Sequence, residues 1–365
     1  MKKIFTFIFL FTFIIIYSGC SKKDNKPSTN NQNTDIPSDP GNVTVPTTVI
    51  NNIQPTATFS KTSGNESRIR LNLTGMLNPV TNLPIQLVAQ QNLFVTEDSK
   101  VKGMLVTKVG SGNILKADIV FAVDNSGSMD EEADSVAASI IKFSQKLQSS
   151  GLDVKLAVVG YQYGNVNGGI NFTNATAIQT YLNRSYGTYR TEGFSGTDSA
   201  SLENKALTFG LGLSDENGVL AVFFADSNYS WRSDAQRVFI NFTDESVQPN
   251  GLYEWSTENL CDKLSGKITV HTVWSGDADT ANAYTWQALY DERPWDMSKC
   301  TGGTVVLVPG DASGLDLSQL PVTGALSNSY LIEFLTSGSA SSHTVEITVK
   351  ENNADGKRIY QNITY

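Results

Sequence analysis

Three separated stretches of the chain carry hydroxyl and carboxylate side chains. The first is Asp124-Asn125-Ser126-Gly127-Ser128, the second is Gly196-Thr197-Asp198, and the third is Thr243-Asp244-Glu245. Oxygen atoms of these kinds are the ligands that hard cations such as Mg²⁺ take in proteins. Whether the stretches can share one ion depends on the elements that carry them.

The central part of the chain alternates between strand-like and helix-like segments. Short apolar runs rich in β-branched residues occur at residues 118–123, 154–159, 238–242, 267–273 and 304–308. Such runs are typical of strands that are buried on both faces. The clearest helix begins near Asp130, has one apolar stripe and is closed by Gly151. This alternation predicts an open, mostly parallel sheet with helices on both sides, whose ligands bind at the carboxyl ends of the strands.

The three polar stretches, in this order, resemble the metal-ion-dependent adhesion site of von Willebrand factor A (VWA) domains and integrin inserted domains. Asp124-x-Ser126-x-Ser128 matches the family's Asp-x-Ser-x-Ser motif, Gly196-Thr197 its Gly-Thr loop and Thr243-Asp244 its Thr-Asp loop. The resemblance covers residues 117–320, and implies a doubly wound α/β domain.

The resemblance also implies a ligand set. Ser126, Ser128 and Thr197 would bind a divalent cation directly, while Asp124 and Asp244 would hold coordinated waters or bind directly. We expect Mg²⁺, with Mn²⁺ or Ca²⁺ left open, and a carboxylate of a protein partner to complete the shell. The alternative is that the two serines only cap the following helix. Capping would explain one serine, but not Thr197 and Asp244.

The N-terminus predicts export and lipidation. Two lysines precede the apolar residues 4–17, which end in Ser18-Gly19-Cys20. This pattern is typical of a signal peptide, here residues 1–19, and resembles the lipobox of bacterial lipoproteins, in which Cys20 carries the lipid. Tyr17 departs from the usual lipobox pattern, and an ordinary secretion signal is the alternative.

Composition favours an exported, folded protein without a nucleic-acid partner. Loss of two lysines with the signal changes the formal charge from −9 to −11, and only 17% of residues are charged. Binding to phosphates needs clustered Lys and Arg. A hydrophobic content of 40% is sufficient for a core. Residues 20–52 are rich in Asn, Thr, Pro, Ser and Asp, which predicts a disordered tether. We expect the lipid to be the only membrane contact.

Both flanks of the centre contain segments in which apolar and polar residues alternate. Residues 68–73 and 345–350 each place apolar side chains on one face. Neither flank has enough strands for a core of its own. The predicted fold class is therefore a doubly wound, mostly parallel α/β domain at 116–322, inserted in or flanked by an all-β sandwich. Residues 53–115 and 323–365 would form the two halves of that sandwich, although separate small β units are the alternative.

Two cysteines remain beside Cys20. Cys261 and Cys300 are each expected close to the start of a predicted strand, away from the metal loops. In an exported protein a disulfide between them is favoured. A bridge closing a loop of about 40 residues would stabilise the fold by about 3–4 kcal/mol.

The residue inventory argues against an enzyme. The chain has only two histidines, His271 within a predicted buried strand and His343 just before another. Neither is placed to activate a serine. The inventory leaves hydrolysis at the metal open, but the family resemblance implies a binding protein. The predicted function is an adhesin or receptor of the cell envelope that binds a protein through its cation. The alternative is an assembly or scaffold factor that uses the same site. Ser21 is compatible with outer-membrane sorting, and leaves open which face of that membrane carries the protein.

Overall fold

The computed structural model describes residues 33–365, except 63, 75, 77, 82, 109–115, 150–151, 184–193, 211–215, 234, 277–290, 318–319, 321–328 and 339. The predicted signal peptide and Cys20 lie outside the described residues. Within the described ranges, no helix is both long enough and apolar enough to cross a membrane.

Fifteen strands and six α-helices form the regular structure of the described residues. The strands are β1 (Thr56–Thr62), β2 (Asn65–Thr74), β3 (Leu93–Glu97), β4 (Lys100–Val101), β5 (Met104–Lys108), β6 (Lys116–Asp124), β7 (Asp153–Gln162), β8 (Asn165–Thr173), β9 (Gly196–Thr197), β10 (Gln236–Thr243), β11 (Thr269–Ser275), β12 (Val305–Val308), β13 (Tyr330–Leu335), β14 (His343–Lys350) and β15 (Asp355–Ile363). The helices are α1 (Ala133–Ser149), α2 (Ala175–Leu182), α3 (Ala200–Ala206), α4 (Gly218–Asn228), α5 (Thr257–Leu264) and α6 (Trp295–Thr301).

Seven strands form a central sheet in the order β12-β11-β10-β6-β7-β8-β9. Its neighbouring strands are parallel, except that β7 and β8 are antiparallel. Both faces are buried because successive side chains of a strand point to opposite sides. In β6, Ile119 and Phe121 pack in the core that contains α1 and α2. Val120 and Ala122 pack in the opposite core, with α4 and α5.

Two four-stranded antiparallel sheets enclose a separate apolar core. Their orders are β1-β2-β13-β5 and β15-β14-β3-β4. β13 lies between β2 and β5, and β14 lies between β15 and β3. Strands from both ends of the described chain therefore share each sheet. Side chains such as Leu71, Ile332 and Ile347 point inward and form one cluster.

The predicted fold class is wrong for this chain. An α/β protein built on a doubly wound VWA-like sheet was expected, but strand residues clearly outnumber helical residues. Eight of the fifteen strands lie in the two antiparallel sheets, and the central sheet itself contains an antiparallel pair. The molecule is mostly β. The prediction gave most weight to the continuous apolar runs and too little to the short, alternating strands of the flanks.

Residues 33–52, which the sequence assigns to a disordered tether, lie against the antiparallel sheets. Arg68 donates two hydrogen bonds of 2.9 Å to the Asp35 carboxylate. The Asp355 carboxylate accepts the backbone N–H groups of residues 49–51 at 2.6–2.9 Å. Composition pointed to disorder because the segment has few apolar residues. Ion pairs and backbone hydrogen bonds hold it, together with the buried side chain of Ile36.

The disulfide prediction is confirmed. Cys261 in α5 and Cys300 in α6 are bonded, and their Cα atoms are 5.7 Å apart. The bridge joins two helices on the same face of the central sheet.

Candidate functional site

Two of the three polar stretches meet at the carboxyl edge of the central sheet. Asp124 is the last residue of β6, and Asp244 directly follows β10. These strands are parallel neighbours, with Val123 paired to Phe242. Their ends therefore lie side by side, and the loops that follow them start from one place.

A chain of hydrogen bonds links the two loops. The Asp124 carboxylate accepts the Ser126 backbone N–H at 3.0 Å and the Thr243 hydroxyl at 2.8 Å. The Ser126 and Ser128 hydroxyl oxygens are 2.9 Å apart, and the Ser128 hydroxyl donates to Asp244 Oδ1 at 3.1 Å. Four of the five predicted ligands are thus brought together. Ser126 begins a short 3₁₀ turn without a side-chain capping bond, so capping does not account for its hydroxyl.

Thr197 is placed differently. It lies in β9 at the edge of the sheet, and its hydroxyl is 2.9 Å from both the Ser199 carbonyl oxygen and the Glu203 carboxylate. Neither group belongs to the predicted metal set. The preceding loop does reach the first motif, because the Asn125 amide donates to the Ser195 hydroxyl at 2.7 Å. The loop is near the site, but the Thr197 hydroxyl is engaged with the start of α3.

The two aspartates lie in an environment that disfavours their charges. Asp124 is fully buried. Burial, and next the charge of Asp244, raise the pKa of Asp124 to about 7, although hydrogen bonds from Thr243 and Ser126 act the other way. Burial also raises the pKa of Asp244. Both shifts have the direction expected for desolvated carboxyls of like charge.

Glu216 is a member of this cluster that the sequence analysis missed. It lies two residues before α4 and is 8% exposed. Burial, and next the charge of Asp124, raise the pKa of Glu216 to about 8. Gln248, beyond β10, holds its backbone through two hydrogen bonds of 2.9–3.0 Å. The signal in the sequence is weak: an acidic residue just before Asn217, which caps at Leu220 a helix whose first eight residues, 218–225, are apolar.

Two more acids lie close by. Glu132 is 2% exposed and accepts the Ser275 hydroxyl at 2.8 Å. Burial raises the pKa of Glu132 to about 7. Burial and the charge of Asp244 also raise the pKa of Glu245. This edge of the sheet therefore concentrates carboxyl groups in a poorly solvated place.

The donor set fits a hard divalent cation. Among the described residues, Asp124, Asp244 and Glu216 form no ion pair with Lys, Arg or His. Two buried oxygen atoms, Asn125 Oδ1 and Glu216 Oε2, have no hydrogen-bond partner there. In the same ranges no group of three or more Asp, Glu, His or Cys side chains forms a metal cage. Serine hydroxyls and water would therefore complete a shell of oxygen ligands, as Mg²⁺ accepts.

No protein-family model matches the sequence, and no curated protein matches it. Among solved structures, the chain is similar to the crystal structure of the pilus adhesin SpaC from Lactobacillus rhamnosus GG in its open conformation. The sequence identity is 12% and the TM-score is 0.34. The match covers 84% of this chain and 55% of that chain, so this chain spans about half of its length. A likeness this remote transfers neither fold nor function.

Proposed function

We propose that the protein is a cell-envelope adhesin that binds a protein ligand through a divalent cation. Asp124, Ser126, Ser128 and Asp244 would hold the ion, and Glu216, outside the ligand set, would add a carboxyl group close to it. The observation that carries the proposal is the fully buried Asp124 carboxylate beside Asp244, without a cationic side chain paired to either in the described residues. A bound cation would offset the burial that raises the pKa of both groups, and the repulsion by Asp244 that raises the pKa of Asp124 further.

The protein's own residues would position the ion and leave it accessible. Ser126 N–H and Thr243 fix the Asp124 carboxylate, while Ser128 is exposed and within reach of a partner. Serine hydroxyls are neutral donors, so they add no negative charge. The cation, when bound, supplies an electrophilic centre for a carboxylate from outside. Thr197 is left out of the set because its hydroxyl is engaged with Glu203.

A titration with Mn²⁺ tests the metal site. We expect residues 33–365, which form one compact unit, to bind the ion. Asp124→Asn and Glu216→Gln should each weaken binding at least about tenfold, since even substitutions outside the ligand shell cost that much at metal sites. Asp153→Asn, at the opposite end of the sheet, is the matched control. Unchanged Mn²⁺ affinity in the Asp124 variant would refute the site.

Acetate can probe the open coordination position. On Mn²⁺-loaded protein, acetate should displace coordinated water and lower the relaxation enhancement of water protons. Ser128→Ala should reduce this response if the hydroxyl helps to hold the ion. An acetate effect that is equal in the metal-loaded and metal-free protein would argue against capture of carboxylates at the cation.

The location of the protein is a separate part of the proposal. We place it at the cell surface, anchored by lipid on Cys20. Protease added to intact cells should remove the folded part, and Cys20→Ala should release the protein from the membrane fraction. Full protection of the chain on intact cells would instead favour a scaffold role inside the envelope.

A further inference from the structure

The antiparallel sheets bury one lysine completely. Lys102 follows β4 and is 0% exposed. Its Nζ lies 2.7 Å from Asp39 Oδ2 and 3.6 Å from Glu97 Oε2. Glu97, the last residue of β3, is also 0% exposed. The amine thus lies between a carboxyl group of the N-terminal segment and a buried carboxyl group of the sheet.

Asp39 is held against this amine by the backbone. The Gly103 N–H donates to Asp39 Oδ1 at 2.9 Å, opposite the oxygen that faces Lys102. Gly103 permits the contact because a Cβ there would collide with the carbonyl oxygens of Pro37 and Ser38. The N-terminal segment therefore lies in direct contact with Lys102. An amine and a carboxyl group fixed in contact react much faster than free partners.

Hydrogen bonds orient the Glu97 carboxyl group towards the amine. Its Oε2 accepts the backbone N–H and the hydroxyl of Ser337 at 2.9 and 3.1 Å. Its Oε1 accepts the Tyr365 hydroxyl at 3.2 Å. These bonds orient the carboxylate, which is then placed to take a proton from Lys102 and to return it to a departing oxygen.

We propose that Lys102 and Asp39 condense to an intramolecular amide, with Glu97 as the proton carrier. Glu97 takes one proton from the ammonium group, and the neutral amine attacks Asp39 Cγ. Oδ1, facing the Gly103 N–H, becomes the amide oxygen. Oδ2 leaves as water with two of the three ammonium protons, one of them delivered by Glu97. The reaction needs no oxidant or cofactor, because an ammonium and a carboxylate give an amide and water.

The amide fits the burial of Lys102 better than a permanent ion pair does. Burial of the charged Lys102 amine carries a desolvation cost, whereas in the amide neither Lys102 nor Asp39 is charged. The new bond would close the chain between residues 39 and 102. A pull on the N-terminal segment would then act on the antiparallel sheets through a covalent bond. This inference is independent of the cation site.

Mass spectrometry of the full chain, purified from cells, tests the amide. Trypsin would not cleave after an acylated Lys102, so residues 24–61 should appear joined to residues 101–108. The joined mass should equal the sum of the two peptides less one water. If trypsin instead cleaves after Lys102 and yields residues 103–108 with unjoined 24–61, the proposal is overturned. This readout on the wild-type chain does not depend on whether any variant folds.

Substitutions of Lys102 and Glu97 test the role of each residue in forming the amide. Lys102→Arg keeps a cation but should abolish the joined peptide. Glu97→Gln should lower the joined fraction at a fixed time after synthesis at least about tenfold, as loss of a proton-transfer group does. Lys350→Arg is the matched control, since Lys350 pairs with Asp355 at 2.8 Å but is 36% exposed; the amide should remain. A fully joined Glu97→Gln chain would refute the role of Glu97.

Discussion

Asp124 shows how burial and like charge act on one residue. Burial, then Asp244, raise the pKa of Asp124 to about 7, and burial, then Asp124, raise the pKa of Glu216 to about 8. A carboxyl group whose pKa is higher in the folded state binds more protons when folded. The ordinary pKa values of Asp and Glu are 3.8 and 4.5. As the pH rises above these values, the unfolded chain loses these protons before the folded chain does.

The metal-free protein should therefore lose stability as the pH rises from about 4 to about 8. We expect Glu216→Gln to reduce this loss by at least about 1 kcal/mol, since one unit of pKa shift is worth about 1.4 kcal/mol. Urea unfolding at several pH values, with chelator present, measures it. Excess Mg²⁺ should also reduce the dependence, because the cation favours the charged carboxylates.

A control separates this effect from general charge. Glu66, an exposed acid with a side chain that is 79% accessible, can be changed to Gln. In that variant the free energy of unfolding should depend on pH as it does in the wild type. If Glu216→Gln does the same, the buried cluster is not the source of the pH response.

His271 changes the dependence of folding stability on pH in the opposite direction. It is 6% exposed in β11, and its Nδ1 accepts the Thr304 N–H at 3.1 Å. Burial lowers the pKa of His271 from 6.5 to about 4. Below pH 6.5 the unfolded chain binds the proton first, so stability falls towards pH 4 by up to about 3 kcal/mol.

His271→Asn keeps an acceptor for Thr304 and removes the titrating group. Its free energy of unfolding should fall less than that of the wild type between pH 7 and pH 4. Parallel urea titrations of both proteins give the comparison. Equal acid sensitivity of the two proteins would mean that His271 does not titrate as argued.

The sequence identified the residues of the site only in part. Asp124, Ser126, Ser128 and Asp244 lie at or just beyond the ends of two strands that are recognisable by their apolar runs, so it was predictable that these residues meet. Glu216 was not, because its position depends on a contact with Gln248 from another loop. Thr197 looked equivalent in sequence, but its hydroxyl bonds to α3. Local pattern locates strand ends, but it does not locate loop atoms.

At the scale of elements, the bridge between α5 and α6 is the covalent restraint that the sequence predicted. It joins residues that are 39 apart in the chain. We expect the Cys261→Ala, Cys300→Ala double variant to lose about 3 kcal/mol, because a closed loop of this length restricts the unfolded state. Chemical denaturation without reductant measures the loss. Wild-type protein in reductant should match the double variant, and equal stability of oxidised and reduced protein would contradict the expectation.

The strands were predicted unevenly. The apolar runs of β6, β7, β10 and β11 predicted these four strands, because strands that are buried on both faces are nearly continuous apolar runs. The short β4 and the antiparallel return of β8 depend on pairing with neighbours rather than on their own composition. Strand content was therefore underestimated, and the fold class came out as α/β for a molecule that is mostly β.

At the scale of the whole molecule, the two antiparallel sheets need both ends of the described chain. β13 is hydrogen-bonded to β2 and β5, and β14 is bonded to β3 and β15. The cores on the two faces of the central sheet, by contrast, are formed almost entirely by residues between β6 and Leu320. The antiparallel sheets and the central sheet should therefore respond differently to loss of the C-terminal strands.

We expect a chain that ends at residue 328 to lose the antiparallel sheets and keep the central one. Without β13 and β14, the earlier strands β2, β3 and β5 lose their inner neighbours, and isolated strand pairs are marginal in water. Hydrogen exchange should show backbone amides of β2 and β3 unprotected, while those of β6 and β10 stay protected as in the full chain. A chain that ends at residue 353, which removes only the edge strand β15, is the control and should keep β2 protected. If β6 loses protection together with β2 in the shorter chain, the central sheet depends on the antiparallel sheets and is not an independent folding unit.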